Sequence, residues 1–173
     1  MAILPVILHP DPVLRKKAES VTEITADILQ LLEDMLETMY AEEGIGLAAP
    51  QINVSQRVIV LDVEPREKGQ RGNPIKMINP EIIAKSEVLT ILDEGCLSLP
   101  EMRVDVARPE QVTVRYLDEA GIIKELEADD LLAKAIQHEI DHLNGVLIFD
   151  YLSKLKRDMA LKKYQKMLKE IRG

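Results

Sequence analysis

The chain has 173 residues, 46% of them hydrophobic, which suffices for one domain with a sizeable core and divides poorly into two. Its single cysteine excludes an internal disulfide and fits a reducing compartment, where a thiolate is free to act as a ligand. No run of about 18 apolar residues occurs, and residues 1–8 resemble neither a secretory signal nor a transit segment, so a cytoplasmic protein with no membrane partner is expected.

Thr25 reads as an N-cap, and Ile28, Leu31, Leu32, Met35, Leu36 and Met39 follow at spacings of three and four, which predicts an amphipathic helix over 26–42. Gly44, Gly46 and Pro50 then impose a loop. Arg57 to Val63 is a β-rich run, and Glu64 to Pro74, charged and glycine-containing, is expected to be a mobile surface loop. Further strands are expected near 77–79, 82–92 and 103–107, and Gln111–Leu117 and Ile122–Ala128 flank a hairpin connection at Asp118-Glu119-Ala120-Gly121. Residues 129–145 are predicted to form a helix of about four turns, with Asp129 and Asp130 as capping candidates and Gly145 as its stop.

Residues 153–173 are expected to form a basic C-terminal helix, capped by Ser153, with Leu155, Met159, Leu161, Leu168 and Ile171 as a partial apolar face docked loosely on the rest. Eight basic residues stand there against Asp158 and Glu170, a local net of +6 that leaves −14 on the remainder of a chain whose total is −8. Such a tail is either a solvated face or an arm for a polyanion. Strands ahead of two closing helices, with no βαβ alternation, argue an α+β fold: antiparallel strands packed around a central helix, with a C-terminal helix, and 1–173 as a single catalytic domain.

The chemistry is concentrated in His138-Glu139-Ile140-Asp141-His142. Residues four apart lie one above the other on a helix, so His138 and His142 can aim their rings at one divalent metal while Glu139 hangs beside it as a proton carrier. The chain has only three histidines, and two of them stand at ligand spacing around a Glu. A tetrahedral site that also admits water needs a third protein ligand. The position where one zinc-peptidase pattern puts a third His is Ile148, and Glu170 sits in the lysine-rich tail, which leaves Cys96 as the strongest candidate.

Three segments now make a resemblance specific. Gly44-Ile45-Gly46-Leu47-Ala48-Ala49-Pro50-Gln51, then Glu94-Gly95-Cys96-Leu97-Ser98, then Gln137-His138-Glu139-Ile140-Asp141-His142 resemble, in order and spacing, the signature motifs of the peptide deformylases. The opening His9-Pro10-Asp11-Pro12-Val13-Leu14-Arg15 is similar to that family's start, so the match runs along essentially the whole chain. The resemblance implies Cys96, His138 and His142 as metal ligands and Glu139 as proton carrier. It also assigns the Gln51 side-chain amide and the Leu97 N–H as donors to the developing oxyanion; on its own, Gln51 reads as an ordinary loop residue. The implied reaction removes the formyl group from the initiator N-formylmethionine of nascent polypeptides and releases formate. The implied cofactor is one divalent ion, Fe(II), with Zn(II) or Ni(II) able to occupy the site.

Ile45, Gly46, Leu47, Leu131 and Ala135 are candidates for a small apolar pocket that an unbranched thioether side chain would fill. The substrate suggests the ribosome as the polyanion for the basic helix; no DNA partner is expected, and the protein is expected to be a monomer. Two rival readings stand beside this one. A zinc endopeptidase would need a third ligand other than Cys96 and a longer cleft, and a ribosome-binding module would close a structural metal with a fourth protein ligand.

Overall fold

In the computed structural model, which describes residues 2–67 and 70–172, Thr25 caps the first helix, α1 (Ala26–Ala41), by accepting a hydrogen bond from the Ile28 N–H. Five antiparallel strands follow the order β1 (Gly46–Ala48), β2 (Val58–Leu61), β3 (Ile75–Lys85), β6 (Gln111–Leu117) and β7 (Ile123–Asp129). The other two, β4 (Leu89–Cys96) and β5 (Leu99–Pro109), form a separate two-stranded sheet. Helices α2 (Asp130–Leu143) and α3 (Lys154–Arg172) close the chain.

Strand parity decides where the helices sit. Along β2, Ile59 and Leu61 face α2, joining Ile136, Ile140 and Leu143 in one cluster. Val58 and Val60 point the other way, to Leu32, Met35, Leu36 and Met39 of α1. A strand covered on both faces must be apolar throughout, which is why β2 reads Val-Ile-Val-Leu without alternation. A third cluster joins the inner face of the hairpin, Leu99, Met102, Val104 and Val106, to Phe149, Tyr164 and Leu168. Helix α2 therefore lies between the five-stranded sheet and the β4–β5 hairpin, as expected of a central helix.

Four expectations change in detail. The strand expected over 82–92 is broken: Ser86 Oγ accepts from the Gln111 N–H and donates to the Val88 carbonyl, turning the chain out of the sheet into the hairpin. Asp129 stands at the N-cap of α2 without a side-chain capping bond, because it is still paired with Gln111 as the last residue of β7. Around the loop expected at 64–74, buried Asp62 accepts from the Tyr40 hydroxyl and the Gly72 and Glu64 N–H groups, and Arg66 lies over the Tyr40 ring while donating to the Gly44 carbonyl. These bonds tie the described part of the loop to the turn before β1.

The docking face of α3 also differs. Leu155, Met159 and Ile171 are 71%, 64% and 68% exposed, whereas Tyr164 and Leu168 are buried, flanked by Ala160, Leu161 and Met167. Tyr164 donates its hydroxyl proton to the His9 carbonyl at 3.1 Å, which sets the rotation of the helix about its own axis. Among the described residues, no helix is long and apolar enough to cross a membrane.

Candidate metal centre

One turn of α2 separates His138 from His142, whose rings lie 5.1 Å apart between centroids. The helix ends one residue later, at Leu143. Gly145 takes φ +74°, and a Cβ there would lie 2.5 Å from the Arg15 carbonyl oxygen, so the chain leaves α2 through a space that only glycine fits. Opposite the histidines, the last residue of β4 brings the Cys96 Sγ to 3.2 Å from His142 Nε2. One donor atom from each of Cys96, His138 and His142 lies within 4.8 Å of the other two.

The orientation of His138 is set from behind. Its Nδ1 meets a Glu94 carboxylate oxygen at 3.0 Å, which leaves Nε2 to face the cluster. Arg108 grips Glu94 through two parallel bonds of 2.7 and 2.9 Å, reaches Asp141 at 2.8 Å and lies over the Tyr151 ring. Burial disfavours the Glu94 carboxylate, but the His138 and Arg108 bonds outweigh it and hold the group ionised. Burial opposes the Arg108 charge too, and Glu94 with Asp141 more than restores it. Neither charge in this buried pair is tolerable alone; removing one partner would cost about 3–5 kcal/mol.

Gln51, in the short helical turn Ala49–Ile52, accepts from the Ala48 N–H through Oε1. Its Nε2 is thereby turned toward Cys96 Sγ, 3.7 Å away, and donates to Ser98 Oγ at 3.1 Å. Leu97 and Ser98 form the turn between β4 and β5, so the Leu97 N–H belongs to the peptide that directly follows the thiol.

Glu139 lies beside the cluster, its Oε2 4.0 Å from His138 Nε2 and its Oε1 buried without a hydrogen-bond partner. Burial pushes its pKa up to about 7, against the opposing pull of His138. His142 is driven well below the usual histidine range by burial, then by His138 and Arg108, so it is the neutral imidazole a metal requires. For His138 burial acts downward, but Glu139, Cys96 and Glu94 raise it well above that range. An anionic surround that holds a proton on His138 also favours a cation among the same atoms.

Two further observations bear on whether a metal fits. Glu139 Oε1 is buried beside the cluster without a hydrogen-bond partner, and the three donors form the mixed N/S set suited to Zn(II), Fe(II) or Ni(II). Gly46 passes so close to Glu139 that a Cβ would lie 2.5 Å from Oε2, so β1 cradles the carboxylate. Gly46→Ala is therefore expected to displace Glu139, cutting kcat by about tenfold with metal content unchanged. Metal analysis and steady-state rates on one preparation check this; parallel loss of metal would show that the residue serves the fold instead.

A cavity of ≈ 460 Å³ opens on the cluster, lined by Cys96, His138, Glu139, Gln51 and apolar groups that include Ile45, Gly46, Leu97, Leu131 and Ala135. Of the five pocket candidates, Leu47 alone lies elsewhere: parity along β1 points it into the α1 cluster, where it is fully buried. Leu92 and Lys134 line the cavity without having been singled out, and the Glu94–Arg108–Asp141 chain behind His138 was missed as well. The pairing of those charges has no local signature in the sequence.

Comparison with known proteins follows the same lines. The family model for polypeptide deformylase matches residues 3–158. Peptide deformylase 1 of Rickettsia conorii is 48% identical over 174 residues, covering 99% of each chain. The peptide deformylase of Rhizobium meliloti is 50% identical over 169 residues, or 98% of this chain and 96% of that one. The crystal structure of the Ehrlichia chaffeensis peptide deformylase in complex with actinonin superposes with a TM-score of 0.90 at 41% identity, covering 96% and 98% of the two chains. The chain belongs to the polypeptide deformylase family, metal-dependent hydrolases that remove the N-terminal formyl group from nascent peptides.

Proposed function

We propose that Cys96, His138 and His142 hold the catalytic divalent ion and that Glu139 moves the proton of the reaction. The observation that carries this is the convergence of the three donor atoms, from a hairpin and a helix, beside a buried carboxylate. When bound, the ion supplies Lewis acidity and lowers the pKa of a coordinated water toward about 7. Glu139 accepts a proton from the attacking water at a carboxylate oxygen and returns it to the departing amine nitrogen as formate leaves. Burial raises the affinity of the Glu139 carboxylate for that proton, and a nearby dication lowers it. Gln51 Nε2 and the Leu97 N–H serve the oxygen on which negative charge develops.

The formylmethionine side chain enters the cavity beside Ile45, Gly46, Leu131 and Ala135, with Leu92 in place of Leu47 in the expected set. Fe(II) is the ion we propose in the cell, with Zn(II) or Ni(II) able to replace it. A mixed N/S site binds Zn(II) more tightly than Fe(II), so availability rather than affinity selects iron. The three donors converge within a single chain, so the proposed site needs no residue from a second copy, and we place its action in the cytoplasm where formylated chains are made. Incubation with a formylated Met peptide tests the reading. Formate should appear while the peptide loses only its formyl group; internal cleavage products would make the enzyme an endopeptidase, and no turnover by metal-replete protein would make the site structural.

We further propose that the exposed lysines of α3 meet ribosomal phosphates. Truncation is a poor test, since it removes Tyr164 and Leu168 from the cluster they share with the hairpin. Replacing the exposed Lys162, Lys163, Lys166 and Lys169 with Gln leaves that cluster intact. Hydrolysis of a short formyl peptide should be unchanged, while ribosome co-sedimentation weakens and its salt dependence flattens. Unaltered sedimentation at low salt would make the basic helix a solvated face.

A further inference from the structure

Helix α2 meets the β4–β5 hairpin through one stripe of polar side chains. Lys134, Gln137, His138 and Asp141 recur at helical spacing, and each bonds to the hairpin. Lys134 Nζ donates to the carbonyls of Thr90 and Arg108, Gln137 Nε2 donates to the Pro109 carbonyl, His138 Nδ1 meets Glu94, and Asp141 accepts from Arg108. The ladder bonds of the hairpin are internal to its own two-stranded sheet, and its buried apolar side chains are committed to the cluster with Phe149 and Tyr164. Across the face of α2 itself, the polar stripe supplies the hydrogen bonds that join helix and hairpin.

Lys134 is the member of that stripe with the greatest leverage. Thr90 and Arg108 are cross-strand partners, so one ammonium ties both strands of the hairpin to the helix. It stands one turn before His138, and the residue is 4% exposed. A buried ammonium is costly unless its N–H groups are used, and two carbonyls use two of the three. The hairpin it holds carries the thiol, while the helix carries both imidazoles.

We propose that Lys134 is a positioning residue for the metal site: its ammonium holds the hairpin where the Cys96 thiol and the two imidazoles can share one ion. This rests on the ligand set proposed above. Wild-type, Lys134→Met, Lys134→Gln, Lys134→Arg and Cys96→Ser proteins are loaded with cobalt(II). The rate at which a chelator strips the ion and the thiolate-to-cobalt charge-transfer absorption are then read on each. Lys134→Met should release cobalt about tenfold faster with a weakened or shifted band, the lower range for a residue that supports a ligand from behind.

Lys134→Arg, which keeps a cation and its donors, should recover most of both measures; failure to recover either would overturn the assignment to the ammonium. A folded Lys134→Met protein with wild-type release and band, whatever its melting temperature, would also overturn it. Should the Met variant not fold, Lys134→Gln is judged by the same two measures. Retention of cobalt and band by Cys96→Ser would instead sink the ligand set itself, a result distinct from loss in Cys96→Ser with no change in the Lys134 variants.

Discussion

Glu139→Gln is expected to bind metal as tightly as the unaltered protein and to lose about a thousandfold in kcat. The amide has nearly the shape of the carboxylate, and the donor atoms of Cys96, His138 and His142 are untouched. What disappears is the group proposed to take the proton from water and return it to the leaving nitrogen. No neighbour is placed to substitute: the Nδ1 of His138 is engaged by Glu94, and both imidazoles are assigned to the ion. Metal content and formate release measured on the same sample decide the matter. A metal-replete variant turning over at close to the wild-type rate would remove Glu139 from the mechanism.

Cys96→Ser should fail differently, losing metal and activity together. A neutral hydroxyl is a far poorer ligand than a thiolate, and the remaining imidazoles sit on one helix with nothing opposite them. Metal affinity is expected to fall more than about a hundredfold, beyond the range for loss of a supporting partner. The fold should survive, because Cys96 is partly exposed and lies at the edge of its cluster. If the serine variant kept full metal content through dialysis against a chelator, the third ligand would have to lie elsewhere.

The legible parts of this chain were those governed by local periodicity. His138, Glu139 and His142 declare their geometry because helical spacing is rigid, and α1 was readable from Thr25 and its apolar stripe for the same reason. Cys96 and Gln51 carry no such mark: Cys96 is reached by eliminating the other third-ligand positions and Gln51 through resemblance alone, since what brings them to α2 is the packing of the hairpin and of the turn after β1. Leu47 was misplaced because parity along β1 cannot be assigned before one knows that helices cover both faces of the sheet. Buried charges are illegible for a different reason: nothing in the sequence shows that Lys134, Arg108 and Glu94 are each buried against a partner. In α3 the decisive residue was Tyr164, whose polar hydroxyl kept it out of an apolar stripe that it in fact anchors.

The most direct test of the metal site is X-ray absorption at the metal edge of the zinc-loaded protein in solution. The account predicts one sulfur scatterer at about 2.3 Å and two imidazole nitrogens at about 2.0–2.1 Å, with the sulfur shell absent from Cys96→Ser. A first shell of nitrogen and oxygen alone in the unaltered protein would contradict it.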